Sequence, residues 1–414
     1  MKSKKKIALL HYSCPPVIGG VEFILEAHAR LMASHGHLVK VIAGRGKSFS
    51  GDVGVEIIPE MRTLSEVDAQ LQEELDTGVV SQRFNHLKDK VMTRLRPSLA
   101  PMTHCVVHNV MTMPFNLALT AALHQLIDEL HAQTKFVIWC HDAALRDPNY
   151  AIERRDQFPW DLLGRPNPHA RYVTISKLRG QQIGELLGLS PDQMTVVPNG
   201  IDLKSFLGIT DAIWKLALDH ELLEARPVML FPSRILRRKN YELAIRIVAA
   251  LKKQGQRPKL LLTGPPDPHN PRTAEYAQEL RQLCAQLKLE EDVLFVSQIL
   301  EVMGEKGEVG FQDLRSLYAL ADLLLITSSQ EGFGLPLLEA GALKLPMACS
   351  DIPVLREVAP DDALFFDLQD EPTQIASRIV AFLQEQPTHR MFKWVLGQYS
   401  WERIYQVHLD GLLS

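Results

Sequence analysis

Short apolar runs alternate with stretches of helical periodicity along the chain. Residues 7–12 read as a buried strand, followed by the pair Gly19-Gly20 and a helix to about residue 35. Residues 39–43, 55–59, 104–110, 136–141, 172–176 and 195–198 continue the strand series, and residues 64–95 form one long polar helical stretch. The pattern then restarts, with strands at 228–232, 259–263, 293–296, 323–327, 347–349 and 364–366. Short apolar strands interleaved with helices predict a parallel sheet covered on both faces. Residues 203–227 read as a linker between the two series, and 372–413 as helices. The expected fold is α/β, with two doubly wound, Rossmann-like parallel-sheet domains facing across a cleft. They span residues 1–205 and 206–385, with 386–414 as a terminal helix. Such sheets bind ligands at the carboxyl ends of their strands, so the chemistry is sought in the loops that follow strands.

Composition narrows the classes. The 414 residues are 46% apolar and 23% charged, which is ordinary globular usage and argues against disorder. A net charge of −4 disfavours a nucleic-acid partner, which would call for a basic surface. The cysteines (Cys14, Cys105, Cys140, Cys284, Cys349) are scattered and form no CxxC, so a reducing, cytoplasmic setting is expected. The apolar run 7–10 after the N-terminal lysines is too short for a signal peptide. The least polar long stretch, 106–123, carries His108, Asn109, Pro114 and Asn116, so no membrane span is expected.

Several familiar signals fail. Gly46-Lys47-Ser48 looks like the end of a phosphate loop, but the glycine required five residues earlier is Val41. GxGxxG does not follow the first strand, and HExxH, GxSxG and Asp-x-Asp are absent. His104 and His108 share one face of a strand without metal geometry.

Four signals survive. In Glu331-Gly332-Phe333-Gly334-Leu335-Pro336, glycines permit a sharp turn and Pro336 suits the first turn of a helix. The helix-start amides offer an anion site, and Glu331 and Glu339 can accept hydrogen bonds from neutral hydroxyls. The second is Arg234-Ile235-Leu236-Arg237-Arg238-Lys239, a cation cluster after a strand suited to phosphate. Arg234 and Lys239 are its better candidates, with Arg237 and Arg238 pointing outward. The third is the glycine turn at Gly19-Gly20, with Glu22 after it. The fourth is Trp139-Cys140-His141-Asp142 at a strand end, where His141 is placed for proton or hydroxyl contact. Each also has a plainer reading as a capped helix, solvated turn or structural histidine.

Together these residues resemble the retaining glycosyltransferases of family 4, with the GT-B fold. Glu331 and Glu339 resemble that family's E-x7-E, and Arg234 and Lys239 its Arg-x4-Lys. Gly19, Gly20 and His141 resemble first-domain positions, and residues 197–202 resemble the segment before the interdomain hinge. Residues 399–402 resemble the terminal helix that in this fold crosses back to the N-terminal, acceptor-side domain. The resemblance implies a sugar moved from a nucleotide diphosphate sugar to a hydroxyl, with retention and without metal or other cofactor. Glu339 would hold the donor ribose. Glu331, with the amides near Phe333, Gly334 and Leu335, would hold the donor sugar and phosphate. Arg234 and Lys239 would neutralise the leaving diphosphate, Gly19 and Gly20 would approach donor phosphate or acceptor, and His141 would contact the sugar. A UDP- or GDP-sugar donor is expected, with a small-molecule, glycan or lipid-linked acceptor. An epimerase or phosphorylase on the same fold, or a non-catalytic sugar-nucleotide-binding protein, are the alternatives.

Two departures and two side features complete the reading. Lys344 replaces a small residue near Pro346, and the loop 298–312 looks long. Tyr150, Arg154, Arg155, Phe158, Trp160 and Asp161 lie in an excursion that could cover an acceptor pocket. Arg83, Lys88, Lys90, Arg94 and Arg96 make a basic helical stretch, read as a solvated face rather than a lipid contact.

Overall fold

Continuous apolar runs need cover on both faces, and the chain supplies it twice. The computed structural model describes residues 4–147, 150, 152, 156–265, 272–305, 309–359 and 361–413; Arg154 and Arg155 lie outside them. The first sheet contains β1 (Lys6–Ser13), β2 (Leu38–Arg45), β3 (Val53–Ile57), β4 (His104–His108), β5 (Lys135–Cys140), β6 (Ala170–Thr174) and β7 (Met194–Val196). All its pairings are parallel, in the order β3-β2-β1-β4-β5-β6-β7. The second contains β8 (Val228–Phe231), β9 (Lys259–Leu262), β10 (Val293–Phe295), β11 (Leu323–Ile326), β12 (Met347–Ser350) and β13 (Leu364–Phe366). It is also parallel, in the order β10-β9-β8-β11-β12-β13. In each sheet the order reverses beside the first strand, between β1 and β4 and between β8 and β11, which is the switch point where such sheets bind ligands.

Alternation along β1 explains the first core. Ile7 and Leu9 pack with Val41, Val106 and Trp139 on one side, while Ala8 and Leu10 pack with Ile42, Cys105 and Val107 on the other. The helices of this part are α1 (Gly20–Ser34), α2 (Leu64–Val67), α3 (Ala69–Asp76), α4 (Gln82–Leu99), α5 (Leu117–Leu130) and α6 (Lys177–Leu187). Then follow α7 (Leu203–Leu207), α8 (Asp211–Asp219), α9 (Tyr241–Lys253), α10 (Arg272–Leu287), α11 (Val296–Val302), α12 (Phe311–Leu320), α13 (Leu335–Ala342), α14 (Pro353–Val358), α15 (Pro372–Glu385), α16 (Pro387–Tyr399), α17 (Trp401–Ile404) and α18 (Asp410–Leu412). The chain divides into unit 1, residues 1–200 with 401–414, and unit 2, residues 201–400.

Four expectations need correction. The polar stretch 64–95 is three helices, because Asp68 and Ser81 each accept from a backbone amide and start a new helix. The supposed linker 203–227 contains α7 and α8, whose Leu203, Ile213, Trp214 and Leu216 belong to the core of unit 2. Asp202 and Thr210 cap these helices, and this cap chemistry went unread. The boundary therefore falls at Gly200. Residues 386–414 are not one helix: α16 stays with unit 2, Ser400 bridges to Ile201, and α17 onward belongs to unit 1. Within the stretch 298–312 read as a long loop, residues 298–302 belong to α11 and 311–312 to α12.

The basic face of α4 is internally balanced. Arg83 pairs with Asp68 at 3.3 Å, Lys90 with Glu60 at 3.0 Å and Arg96 with Glu129 at 2.8 Å. Among the described residues no helix is long and apolar enough to cross a membrane. All five thiols are free and buried.

Candidate active site

In unit 2 the loops after β8 and β11 meet. Beyond Phe231 the chain turns through Ser233 and Arg234 over Gly264. A Cβ on Gly264 would stand 2.1 Å from the Ser233 carbonyl oxygen and 2.5 Å from Arg234 Cα, so only glycine lets the loop lie there. The buried Tyr241 hydroxyl donates to the carbonyls of Ser233 (2.8 Å) and Arg234 (3.2 Å). Asn240 takes a left-handed conformation, φ 51°, which turns the chain into α9. Thr327 Oγ1, just past β11, donates to the carbonyls of Lys239 (3.0 Å) and Asn240 (2.8 Å). The Ser329 amide donates to the Arg238 carbonyl at 2.8 Å. Backbone and hydroxyl thus lock the two loops together before any charge is considered.

The charges then meet. Lys239 Nζ donates to Glu331 Oε1 at 2.6 Å, with both side chains about nine-tenths buried. Ser328 Oγ donates to the same oxygen at 2.7 Å. Arg238 donates to the Gln330 carbonyl at 2.9 Å and lies 3.4 Å from Glu331 Oε2. Arg234 is exposed, with no ion pair among the described residues. Arg237 turns away, pairing with both oxygens of Glu279 at 2.7 and 2.8 Å and lying over the Tyr276 ring. The outward reading therefore fits Arg237 and fails for Arg238, which ties the cation loop to the acidic loop. Two cations on one carboxylate leave a positive excess for an anion.

The acidic loop turns at Gly334, φ 100°, which caps α13 without a side-chain hydrogen bond. A Cβ there would lie 3.1 Å from both Leu337 Cδ1 and Leu355 Cδ2. The first turn of α13 therefore has no side-chain acceptor, and Phe333 and Leu335 beside it are exposed. Glu339 is exposed and accepts from the Tyr318 hydroxyl at 2.6 Å. Burial, then this hydrogen bond, push the Tyr318 phenol up, so it remains a donor. Tyr318, Thr327, Ser328 and Gly264 went unread in the sequence, because nothing near them in the chain marks their partners.

Unit 1 builds its counterpart differently. Gly19 caps α1 without a side-chain bond and Gly20 begins it. Glu22, in the first turn, is hydrogen-bonded by Ser13 Oγ and lies 3.8 Å from His11 Nε2. His11 Nδ1 is 2.7 Å from the His108 carbonyl, and His108 Nδ1 is 3.4 Å from His141 Nε2. Asn109, at φ 50°, accepts from the amides of His141 (3.1 Å) and Asp142 (3.0 Å) and so fixes the turn after β5. Burial, then the nearby His11, push His141 down to about 4. Burial and His141 push His28 down to about 3, and His108 is held well below its ordinary value by burial. These imidazoles are neutral at pH 7. The histidines that accompany His141 come from three other elements, so no local motif announces them. The phosphate-loop remnant has a packing role, since a Cβ on Gly46 would stand 2.2 Å from Cys14 Sγ.

Two doubly wound parallel-sheet units, one carrying a cation–carboxylate cluster and the other a neutral histidine cluster, make up a GT-B architecture. Residues 18–205 match the family described as Glycosyltransferase Family 4, and residues 214–394 match Glycosyl transferases group 1. The chain belongs to the family 4, group 1 glycosyltransferases. It is similar to the O-antigen chain mannosyltransferase RfbU of Salmonella typhimurium, 38% identical over 97 residues, 23% of this chain and 25% of that protein. It is also similar to mannosylglucosylglycerate synthase of Thermotoga maritima, 24% identical across 88% of this chain and 85% of that one. The alignments with RfbU and with the serotype-specific mannosyltransferase WbdA of Escherichia coli span only 25% and 9% of those relatives' lengths. Among solved structures, a sucrose-phosphate synthase from Thermosynechococcus elongatus aligns over 99% of this chain and 98% of that one, with 18% identity and a TM-score of 0.40.

Proposed function

We propose that the protein transfers a hexosyl group from a nucleoside diphosphate sugar to an acceptor hydroxyl, with retention of anomeric configuration and without a metal. The observation that carries this is the joined loop pair of unit 2. Lys239 and Arg238 meet Glu331 there, Arg234 remains exposed beside them, and the uncapped start of α13 adjoins. A diphosphate leaving group gathers negative charge as the glycosidic bond breaks. Fixed cations and helix amides aimed at it stabilise that charge without reorganising. Arg234 offers a bidentate fork and Lys239 a point charge. Glu331 is held by Lys239 in this state; with a donor bound, it accepts a hexose hydroxyl while Lys239 turns to phosphate. Glu339, oriented by Tyr318, accepts the ribose hydroxyls. Phe333, Gly334 and Leu335 supply backbone at the helix start. The departing phosphate takes the acceptor proton on the same face. Gly19 and Gly20 allow close backbone approach at the start of α1, and neutral His141 hydrogen-bonds a sugar hydroxyl. Buried free thiols support a cytoplasmic location.

Relatives named as mannosyltransferases make mannose the first sugar to test. A thermal-shift panel of UDP-, GDP- and ADP-sugars identifies the donor. Proton NMR of the first-formed product then reads the anomer, with EDTA present throughout. An inverted anomer, or activity restored only by added divalent metal, overturns this mechanism.

A further inference from the structure

Unit 2 holds a concavity of about 530 Å³ at the end of its sheet opposite the joined loops. It opens beside Arg226 and Pro227, which lead into β8, and against α15 and α16. Its charge is one-sided. Arg226, Arg390 and Lys393 line it together with His389, and no aspartate or glutamate does so among the described residues. The buried Asp322, just before β11, offsets one of these charges. Its Oδ2 accepts from Lys393 Nζ at 2.6 Å and from the Val228 amide at 2.7 Å, and its Oδ1 lies 3.5 Å from His389 Nδ1. Burial, against the pull of Asp322, holds His389 below its ordinary value, so it adds no charge at pH 7. Arg226 and Arg390 remain. Arg226 donates through Nη1 to the carbonyls of Leu223 (3.1 Å) and Ala225 (2.6 Å), which fixes its guanidinium and leaves Nη2 without a hydrogen bond among the described residues. Beyond the lining, Glu224 and Arg257 act on Arg226 with opposite sign. Arg390 is exposed and has no ion pair among the described residues. Gln256 and Gln384 add amides, and Val380 and Leu383 add apolar wall.

We infer that this concavity binds a small polyhydroxy phosphate monoester, separately from the donor site. Such a phosphate carries a charge of about −1.5 to −2 at pH 7. That matches two arginines, whose planar forks grip phosphate oxygens in pairs. The glutamine amides suit hydroxyls on the body of the ester, and the volume is that of a small-molecule site. A neutral sugar would leave both positive charges uncompensated. An alkyl chain would press them against hydrocarbon, at a desolvation cost. The inference stands apart from the sugar-transfer reading, since no residue of the loops after β8 and β11 takes part.

Isothermal titration calorimetry on the full-length protein tests it, with glycerol 3-phosphate, mannose 6-phosphate, inorganic phosphate and mannose as probes. At least one ester should bind, and inorganic phosphate and mannose should bind about tenfold more weakly or not at all. Arg390→Glu should weaken the ester about tenfold or more with an unchanged urea melt. Gln384→Ala, also at an exposed position, should weaken it a few-fold. Arg234→Ala controls for the donor site and should leave ester affinity within about twofold. Ester binding that survives Arg390→Glu, ester binding lost in Arg234→Ala, mannose or inorganic phosphate bound as tightly as the esters, or no ester binding overturns the inference. Arg390-dependent ester binding in a protein that shows no shift with any sugar nucleotide would uphold it and remove the donor reading instead.

Discussion

The two units place chemistry at equivalent ends of similar sheets and treat charge in opposite ways. Unit 2 concentrates it: Lys239, Arg238 and Glu331 make a compact ionic knot, with Arg234 exposed nearby. Unit 1 suppresses it: His11, His28, His108 and His141 are buried and held neutral. In the proposed reaction the contrast suits the task of each unit. A leaving diphosphate needs preset positive charge, whereas a neutral hydroxyl needs only oriented donors and acceptors. Desolvation serves both ends, strengthening the ion pair in one unit and forbidding protonation in the other.

The sharpest break is Lys239→Ala. Turnover should fall about 100-fold or more, as when a preorganised donor to developing charge is lost. Stability should also fall, on the order of 3 kcal/mol, because the buried Glu331 loses its nearest cation. Steady-state kinetics and urea melts on one preparation check both. Arg234→Ala should match the kinetic loss of about 100-fold yet leave the melting curve in place, because Arg234 is exposed and pairs with nothing described. Wild-type turnover in both variants would falsify the charge-stabilising role of this loop.

Acid should separate the units. His28 and His141 sit at about 3 and about 4 in the folded state, against an unfolded value near 6.5. Their neutral burial carries its full stability above the unfolded value. It is lost as pH falls from about 6.5 toward 4, because the unfolded chain takes up protons first. The loss is several kcal/mol in order of magnitude and should appear in unit 1. Of the imidazoles held low among the described residues, His389 alone belongs to unit 2. Hydrogen exchange at pH 7 and pH 5 resolves the two. His28→Phe should blunt the acid loss, since neither ring nitrogen of His28 has a hydrogen-bond partner among the described residues.

A smaller contrast concerns the two glycine turns. Gly334→Ala should cost about 1–2 kcal/mol, because an L-residue is forced into left-handed space against Leu337 and Leu355. It should weaken the nucleotide-sugar thermal shift as well. Gly20→Ala meets nothing within 4 Å and has ordinary backbone, so its melt should move little. At the bottom of the scale, Arg237→Ala should leave turnover unchanged, since that side chain serves an exposed pair with Glu279.

Much of this was legible in the chain. Most strands of both sheets fall on apolar runs, because a strand buried on both faces carries mainly apolar residues. Glu331, Gly334 and Pro336 were readable because a turn, a cap and a helix start are local events. Asp202 and Thr210 mark helix starts that were missed, because a single cap weighs little beside a long periodic pattern. The role of Arg238 was misjudged for another reason. Adjacent arginines look equivalent until one finds Glu279 and the other Gln330 and Glu331.

Local order along the chain settled the alternation of strands and helices, the family motifs and the kinds of charge available. Those properties depend on neighbours within a few residues. Which groups meet was left to tertiary packing: Lys239 on Glu331, Tyr318 on Glu339, four histidines gathered from separate elements, and Gly264 beneath the cation loop. Burial and ion pairing depend on residues distant in the chain, and only the closed fold brings them within hydrogen-bond reach.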